Sequence, residues 1–263
     1  MTERLDVELN RRGLARSRTH AAKLIADGAV TAAGRVARKP STPVDADTTI
    51  TVESSDNYVS RAAHKLAGAL DDFGIDHLAG RVLDAGASTG GFTQVALERG
   101  ADAVIAVDVG HGQLAPSLEA DGRVTSLEGK NVRTLAPRDI GGPVDTVVGD
   151  LSFISLTLAL PALIACSTPG ASLFLMVKPQ FELTRADLDG HGVVRDPSAR
   201  ARAVRSVAAA ANARGLVVRA AARSKLPGPS GNNEYFLWLT FSSEPAASMF
   251  DLDEFLESVE GVR

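Results

Sequence analysis

A chain of 263 residues, 44% hydrophobic and 23% charged, is long enough for two modest domains or one large one, and too apolar to be disordered. With 28 Lys+Arg against 32 Asp+Glu the net charge is −4, so no global positive field draws it to nucleic acid or anionic lipid; any such attraction must be local. The single cysteine, Cys166, excludes a disulfide framework and a cysteine-based zinc site, and in the apolar Leu156–Cys166 segment it reads as a buried small hydrophobe.

Met1–Glu8 carries three acids and no apolar segment, so no secretory leader is expected and the cytoplasm is the expected location. Residues 1–39 hold nine Lys/Arg and four Asp/Glu, an excess of five positive charges in a chain that is negative overall. The excess concentrates in Arg11, Arg12, Arg16, Arg18 and Lys23, with no acid between them. Leu5, Leu9 and Leu14, then Ala21, Ala22, Leu24 and Ile25, predict two short helical faces joined at Gly13. Val30, Gly34 and Val36, then Thr48–Val52, predict short strands around a glycine turn. Residues 1–53 are thus expected to form a compact basic module that meets phosphate, the alternative being a solvated charged face. The polar stretch at 54–60 is expected to link it to a second domain over residues 61–263.

Arg61–Phe73 has a helical pattern, with Ala62, Leu66, Ala69, Leu70 and Phe73 on one side. From Arg81 onward, strands are predicted at Val82–Ala85, Ala103–Asp108, Val124–Leu127, Asp145–Gly149, Ser172–Val177, Leu216–Ala220 and Tyr235–Phe241. Helices are predicted between them at Gly91–Arg99, Ser155–Cys166 and Pro197–Arg214. Such alternation argues a parallel, doubly wound α/β sheet. Leu151–Val177 lacks charge over a span long enough to cross a membrane, but Ser167-Thr-Pro-Gly170 and Pro161 interrupt it; a buried helix, a turn and a buried strand are expected instead. Phe250, Leu252, Phe255, Leu256 and Val259 are spaced for an amphipathic helix that packs on the domain.

The loop Val82-Leu-Asp-Ala-Gly-Ala-Ser-Thr-Gly-Gly-Phe92 joins a strand to a helix N-terminus through small residues, which lets backbone approach a ligand. A dinucleotide site wants G-x-G-x-x-G, and Ser88 stands where the second glycine belongs; no P-loop Lys-Ser/Thr follows either. The form D-x-G-x-S-x-G resembles the first motif of S-adenosylmethionine-dependent methyltransferases. Asp108, ending the next strand, is placed to accept bonds from ribose hydroxyls. The alternative is a tight strand-to-helix turn with no ligand.

Ligands of open α/β sheets lie beyond the carboxyl ends of the strands. Asp150 and Lys178 follow two apolar runs there, and Glu234 begins the last strand, reaching the same edge if that strand is antiparallel. Lys65 lies on the helix before the first strand. Each alone is explained as a first solvated position, whereas two lysines and two acids together can orient a hydroxyl nucleophile. The five histidines show no metal-ligand spacing, and no metal is assigned.

Longer blocks carry a resemblance. Arg4-Leu-Asp…Leu9…Arg12-Gly…Ser17-Arg…Leu24-Ile…Gly28…Val30 resembles an S4 RNA-binding domain. Ser60-Arg-Ala-Ala-His-Lys-Leu66, Leu83-Asp-Ala-Gly-Ala-Ser-Thr-Gly-Gly-Phe-Thr93, Asp150-Leu-Ser-Phe-Ile-Ser155, Val177-Lys-Pro-Gln-Phe-Glu182, Gly192-Val-Val-Arg-Asp196 and Pro227-Gly-Pro-Ser-Gly-Asn-Asn-Glu-Tyr-Phe-Leu-Trp238 resemble the TlyA family of ribosomal RNA 2′-O-methyltransferases, whose catalytic domain is similar to FtsJ-type enzymes. The resemblance implies a Rossmann-like methyltransferase sheet preceded by a small α+β S4 domain. It implies a catalytic Lys65, Asp150, Lys178, Glu234 tetrad, and S-adenosylmethionine held by Asp84, Gly86, Ser88, Thr89, Gly90, Gly91 and Asp108. It implies a cytidine ribose in ribosomal RNA as target, in the large subunit or in both. RNA phosphates would then be met by Arg4, Arg16, Arg18 and Lys39, in a protein taken by default as a monomer.

Three other readings compete. A nicotinamide-dependent dehydrogenase is opposed by Ser88. A non-catalytic RNA-binding or ribosome-assembly factor would use only the basic module. A membrane-active haemolysin, a label attached to this family, finds little support in a broken apolar run and a net charge of −4.

Overall fold

The computed structural model describes residues 2–15, 17–26, 28–52, 58–78, 80–228, 230–241 and 250–262. Two compact units divide the chain, residues 1–57 and 58–263.

The first unit contains β1 (Glu3–Arg4), α1 (Leu5–Arg11), α2 (Arg18–Ala26), β2 (Val30–Ala32), β3 (Arg35–Val36), β4 (Pro43–Val44) and β5 (Ile50–Val52). Ser17 caps α2 by accepting from the His20 amide at 3.1 Å. Strands β2 and β3 make a hairpin whose two-residue turn, Ala33-Gly34, has positive φ at both positions, the geometry that matches strand twist. Strand β5 pairs with β2 on its other edge, while β1 and β4 form a separate antiparallel pair that the sequence reading did not include. Leu5, Leu9, Ala21, Ile25, Val30, Val44 and Ile50 fill the core. Leu14, expected on the apolar face, is exposed.

The second unit runs α3 (Ala62–Asp72), β6 (Arg81–Ala85), α4 (Gly91–Glu98), β7 (Ala103–Val107), α5 (Pro116–Glu119), β8 (Val124–Leu127), β9 (Val144–Gly149), α6 (Leu156–Ala165), β10 (Ser167–Val177), α7 (Pro179–Glu182), α8 (Pro197–Asn212), β11 (Leu216–Arg223), β12 (Tyr235–Phe241) and α9 (Leu252–Glu260). Tyr58 and Val59, expected in the linker, pack on this unit; the Val59 amide donates to Gln94 Oε1 at 2.9 Å.

Seven strands form one sheet in the order β11-β12-β10-β9-β6-β7-β8, with β12 antiparallel to both its neighbours and the other contacts parallel. This is the Rossmann-like methyltransferase arrangement. Parallel strands are covered on both faces, so their side chains alternate between two cores rather than between core and water. In β10, Leu173, Leu175 and Val177 enter the core under α6, α8 and α9, while Phe174 and Met176 enter the core under α3 and α4. The expected turn at Ser167–Gly170 is instead part of β10, where a register shift between Ser167 and Ser172 absorbs the extra residues opposite β9. No helix among the described residues is long and apolar enough to cross a membrane.

The expected C-terminal helix is α9; of its apolar positions, Leu256 is fully buried. The start of the preceding tail, residues 242–249, lies outside the described residues. Asp251 caps α9 through the Asp253 and Glu254 amides, and Gly261, at φ +69°, ends it. Glu260 then accepts from the Tyr235 hydroxyl and from Arg200 of α8, whose Nε lies 2.8 Å from Glu260 Oε2. Burial and the Glu260 carboxylate push the Tyr235 phenol up from its ordinary value. Arg200 Nη1 also donates to the carbonyls of Val194 and Arg195, so α9 secures both the start of β12 and the loop before α8.

Candidate active site

Strand β6 is followed by β7 on one side and neighbours β9 on the other, so the chain reverses direction across the sheet between β6 and β9. A crevice opens at such a point beyond the carboxyl ends, and the glycine loop lies there. Gly86 has φ +88°, and a Cβ on it would stand 2.9 Å from the Asp150 carbonyl oxygen. Only glycine permits that approach of the β6 loop to the end of β9. The amides of Gly86 and Ala87 both donate to the Val107 carbonyl, fixing the loop to β7.

Asp108 is gripped by this loop. Its Oδ2 accepts from the Ser88 amide at 2.9 Å and its Oδ1 from the Gly110 amide at 2.7 Å. Each oxygen keeps a lone pair for a further donor, as a ribose diol requires. Ser88 is exposed, at φ +47°, with its hydroxyl 3.2 Å from Gln113 Oε1, and Thr89 beside it is half-buried. Gly90, at φ +90°, caps α4; a Cβ there would strike Leu114 and Leu118, and one on Gly91 would strike Ser60 and Ala63. Both glycines therefore serve packing inside the protein as well as the loop.

Asp84 is completely buried and accepts from Thr93 Oγ1 at 2.6 Å, while its Oδ1 has no partner. Burial pushes its carboxyl up to about 7, against the Thr93 bond, with Asp150 and Asp108 adding to the rise. A buried acceptor without a partner fits a ligand bearing positive charge and N–H donors.

Three of the four expected catalytic residues, Asp150, Lys178 and Glu234, occupy adjacent strand ends, and Lys65 reaches them from α3. Val177 pairs with Tyr235 across the antiparallel β10–β12 register, which sets Lys178 beside Glu234. Asp150 follows Gly149, paired with Leu175 on the other side of β10. Lys178 Nζ lies 2.6 Å from Asp150 Oδ1 and donates to Ser152 Oγ at 2.8 Å. Lys65, on α3, donates to Glu234 Oε2 at 2.5 Å. The tetrad is thus two lysine–carboxylate pairs, and the Lys65–Glu234 pair is the more enclosed, with side chains 9% and 1% exposed.

Several neighbours were not singled out by the sequence reading. Gly228 packs so closely that a Cβ on it would stand 2.6 Å from Glu234 Oε1. Asn232, buried, accepts from the Val194 amide and donates to the Gly192 carbonyl, tying the 227–234 loop to the loop before α8. Glu182 accepts from Ser155 Oγ and the Leu156 amide, capping α6; burial raises its carboxyl. Phe153 is 92% exposed at φ +64°, and its ring lies 5.2 Å from that of Phe181. A bulky residue in left-handed backbone is strained, a feature that concentrates at functional sites. The signal for it was available: an aromatic three residues beyond a charged strand end.

In the first unit, Arg11, Arg12 and Arg18 of the basic run pair with acids that precede it. Arg11 and Arg12 both bind Glu8, holding its carboxyl down to about 2. Arg4 and Arg18 converge on Asp6 at 2.9 and 3.3 Å. Arg12 also donates to the carbonyls of Thr48 and Ala46, a structural tie. Arg4, Arg18 and Lys39 are exposed, and the Asp6 amide bonds the carbonyl of Pro40, next to Lys39. Arg16 lies outside the described residues.

Residues 58–241 match the family model described as FtsJ-like methyltransferase, and residues 3–50 match the S4 domain. Over 253 residues, 95% of this chain and 94% of the relative, the sequence is 53% identical to the Mycobacterium tuberculosis protein named 16S/23S rRNA (cytidine-2'-O)-methyltransferase TlyA. It is 36% identical to Hemolysin A of Brachyspira hyodysenteriae over 88% of this chain and 97% of that one. A solved structure from Streptococcus thermophilus that carries a hemolysin name matches with a TM-score of 0.77 at 35% identity, covering 99% of this chain and 94% of that chain.

Proposed function

The chain belongs to the TlyA family, an S4 domain joined to an FtsJ-like methyltransferase domain, and from that membership we propose that it methylates the 2′-hydroxyl of a cytidine in ribosomal RNA. The observation that carries this reading is the pair of lysine–carboxylate contacts set beside the glycine loop on one edge of the sheet. S-adenosylmethionine supplies, when bound, a methyl group already activated on a sulfonium. Asp84 Oδ1 and the Asp108 carboxylate, with the loop from Gly86 through Ser88, Thr89, Gly90 and Gly91, are the residues that would hold it.

A ribose hydroxyl is a poor nucleophile, so the protein's task is in-line positioning and removal of one proton. Lys178, entering as the free amine beside Asp150, would take the hydroxyl proton while the oxygen's new bond to the methyl carbon replaces that carbon's bond to sulfur, and would then release the proton to water. Lys65 and Glu234 hold the ribose and fix the local charge. Phe153 offers an exposed stacking face for a base beside the tetrad, since every base presents a π-face to an aromatic ring. Arg4, Arg16, Arg18 and Lys39 of the S4 domain meet RNA phosphates, so binding weakens steeply as salt rises. The enzyme acts in the cytoplasm on ribosomal subunits, as a monomer.

Labelled methyl transfer from S-adenosylmethionine to purified small and large subunits tests this. Label in RNA is expected; bound cofactor and bound RNA without label would instead mean a non-catalytic RNA-binding factor. Leakage of dye-loaded liposomes is the corresponding check on the hemolysin names borne by relatives, and none is expected.

Gly228→Ala provides a local test of Glu234. The added methyl must displace a carboxylate oxygen enclosed by the fold, an overpacking that costs about 1–3 kcal/mol. Turnover is expected to fall about tenfold through misplacement of Glu234, with unchanged salt dependence of RNA binding. Unaltered turnover would show that Glu234 need not stand where it does.

A further inference from the structure

Lys178 has a second polar partner that the tetrad does not include. Its Nζ donates to Ser152 Oγ at 2.8 Å while lying 2.6 Å from Asp150 Oδ1, and the Phe181 ring centroid is 5.9 Å away. Asp150 and Ser152 come from the same turn after β9, two residues apart. That turn is laced to the segment after β10 at two points: Ser152 to Lys178, and Ser155 to Glu182. Between them Phe153 takes its left-handed backbone conformation against Phe181. The local chain is therefore shaped to keep the serine hydroxyl on the lysine nitrogen.

The two partners differ chemically. A carboxylate only accepts, so Asp150 faces the nitrogen as an opposite charge and has nothing to give its lone pair. A hydroxyl both accepts and donates. It accepts from the ammonium and can turn to donate to the free amine, keeping the nitrogen in place in either protonation state. Ser152 is also exposed, whereas Lys178 is enclosed, so the hydroxyl stands between the amine and water.

We propose that Ser152 is a positioning residue for Lys178, holding its nitrogen in the protonated and the free state. This rests on the reading of Lys178 as the group that takes the 2′-hydroxyl proton. Misplacing a reacting group by a fraction of a bond length is enough to slow the step without touching binding.

The test compares Ser152→Ala, Ser152→Thr and Lys178→Ala in steady-state methyl transfer to purified ribosomal subunits lacking the modification. Ser152→Ala is expected to lower kcat about tenfold, with KM for S-adenosylmethionine and for subunits unchanged. Ser152→Thr, which keeps the hydroxyl, is expected to stay within about twofold of the parent. The proposal is overturned if Ser152→Ala turns over like the parent, if its loss appears in KM alone, or if Ser152→Thr is equally impaired. Normal turnover by Lys178→Ala would instead remove the reading of Lys178 on which the proposal stands.

Discussion

Lys178→Ala is expected to lower kcat for methyl transfer about a thousandfold, the middle of the range for losing a positioned base. Binding of S-adenosylmethionine and of RNA should change by no more than about twofold, because Lys178 sits beyond the glycine loop and the phosphate contacts proposed for the S4 domain lie elsewhere in the chain. Lys178→Arg distinguishes two roles that alanine confounds. A guanidinium keeps the positive charge opposite Asp150 but stays protonated in proteins. If Lys178 serves as the base, arginine is as inactive as alanine; if only its charge matters, arginine recovers a substantial part of the rate. Single-turnover methyl transfer, with cofactor affinity measured by calorimetry, reads both. Parent-like kcat in Lys178→Ala would remove Lys178 from the chemistry.

The second large effect belongs to the enclosed Lys65–Glu234 pair. Removing one partner of a buried ion pair leaves the other charge uncompensated, and typically costs about 3–5 kcal/mol. Glu234→Ala should therefore lower the melting temperature by roughly 10 °C, at about 2–4 °C per kcal/mol for a domain of this size. It should also abolish turnover. Lys65→Met together with Glu234→Met removes both charges, and burying apolar groups in place of an ion pair is often neutral or stabilising. The double variant is expected to melt near the parent temperature and still transfer no methyl group. Thermal denaturation beside the transfer assay separates the contributions: recovered stability with recovered activity would make the pair a scaffold element only.

How the sheet was legible is plain from β6, β7, β9 and β10. Strands buried on both faces appear as continuous apolar runs, and directly after β7, β9 and β10 a charged residue breaks the run. That is why Asp108, Asp150 and Lys178 stood out. Glu234 needed one further fact, the antiparallel direction of β12, which converts the start of a strand into a residue on the same edge. What could not be read were the contacts made between distant segments. Lys65 and Glu234 are 169 residues apart, and nothing in their spacing announces a shared bond. Gly228 stands in the Pro227–Trp238 block with no role read for it, and only packing shows that its missing side chain makes room for a carboxylate. The pairing within the basic run was not legible for a local reason: Glu8 lies outside the run, three and four residues before Arg11 and Arg12, the spacing of neighbours on a helix. Ser167–Gly170 misled because proline and glycine mark turns more often than irregular strands.

The FtsJ-like match ends at Phe241, eleven residues before α9 begins. A gene fragment cut at that domain boundary would still encode every member of the tetrad and the entire glycine loop. It would lack Glu260, the acceptor that Tyr235 and Arg200 share, and would strand a buried phenol at the start of β12, next to Glu234, and a mostly buried guanidinium on α8. A stop codon between Phe241 and Glu260 is therefore expected to cost function, although all four tetrad residues are encoded upstream of it. The support of β12 thus includes α9, which lies beyond the residues that the FtsJ-like match covers.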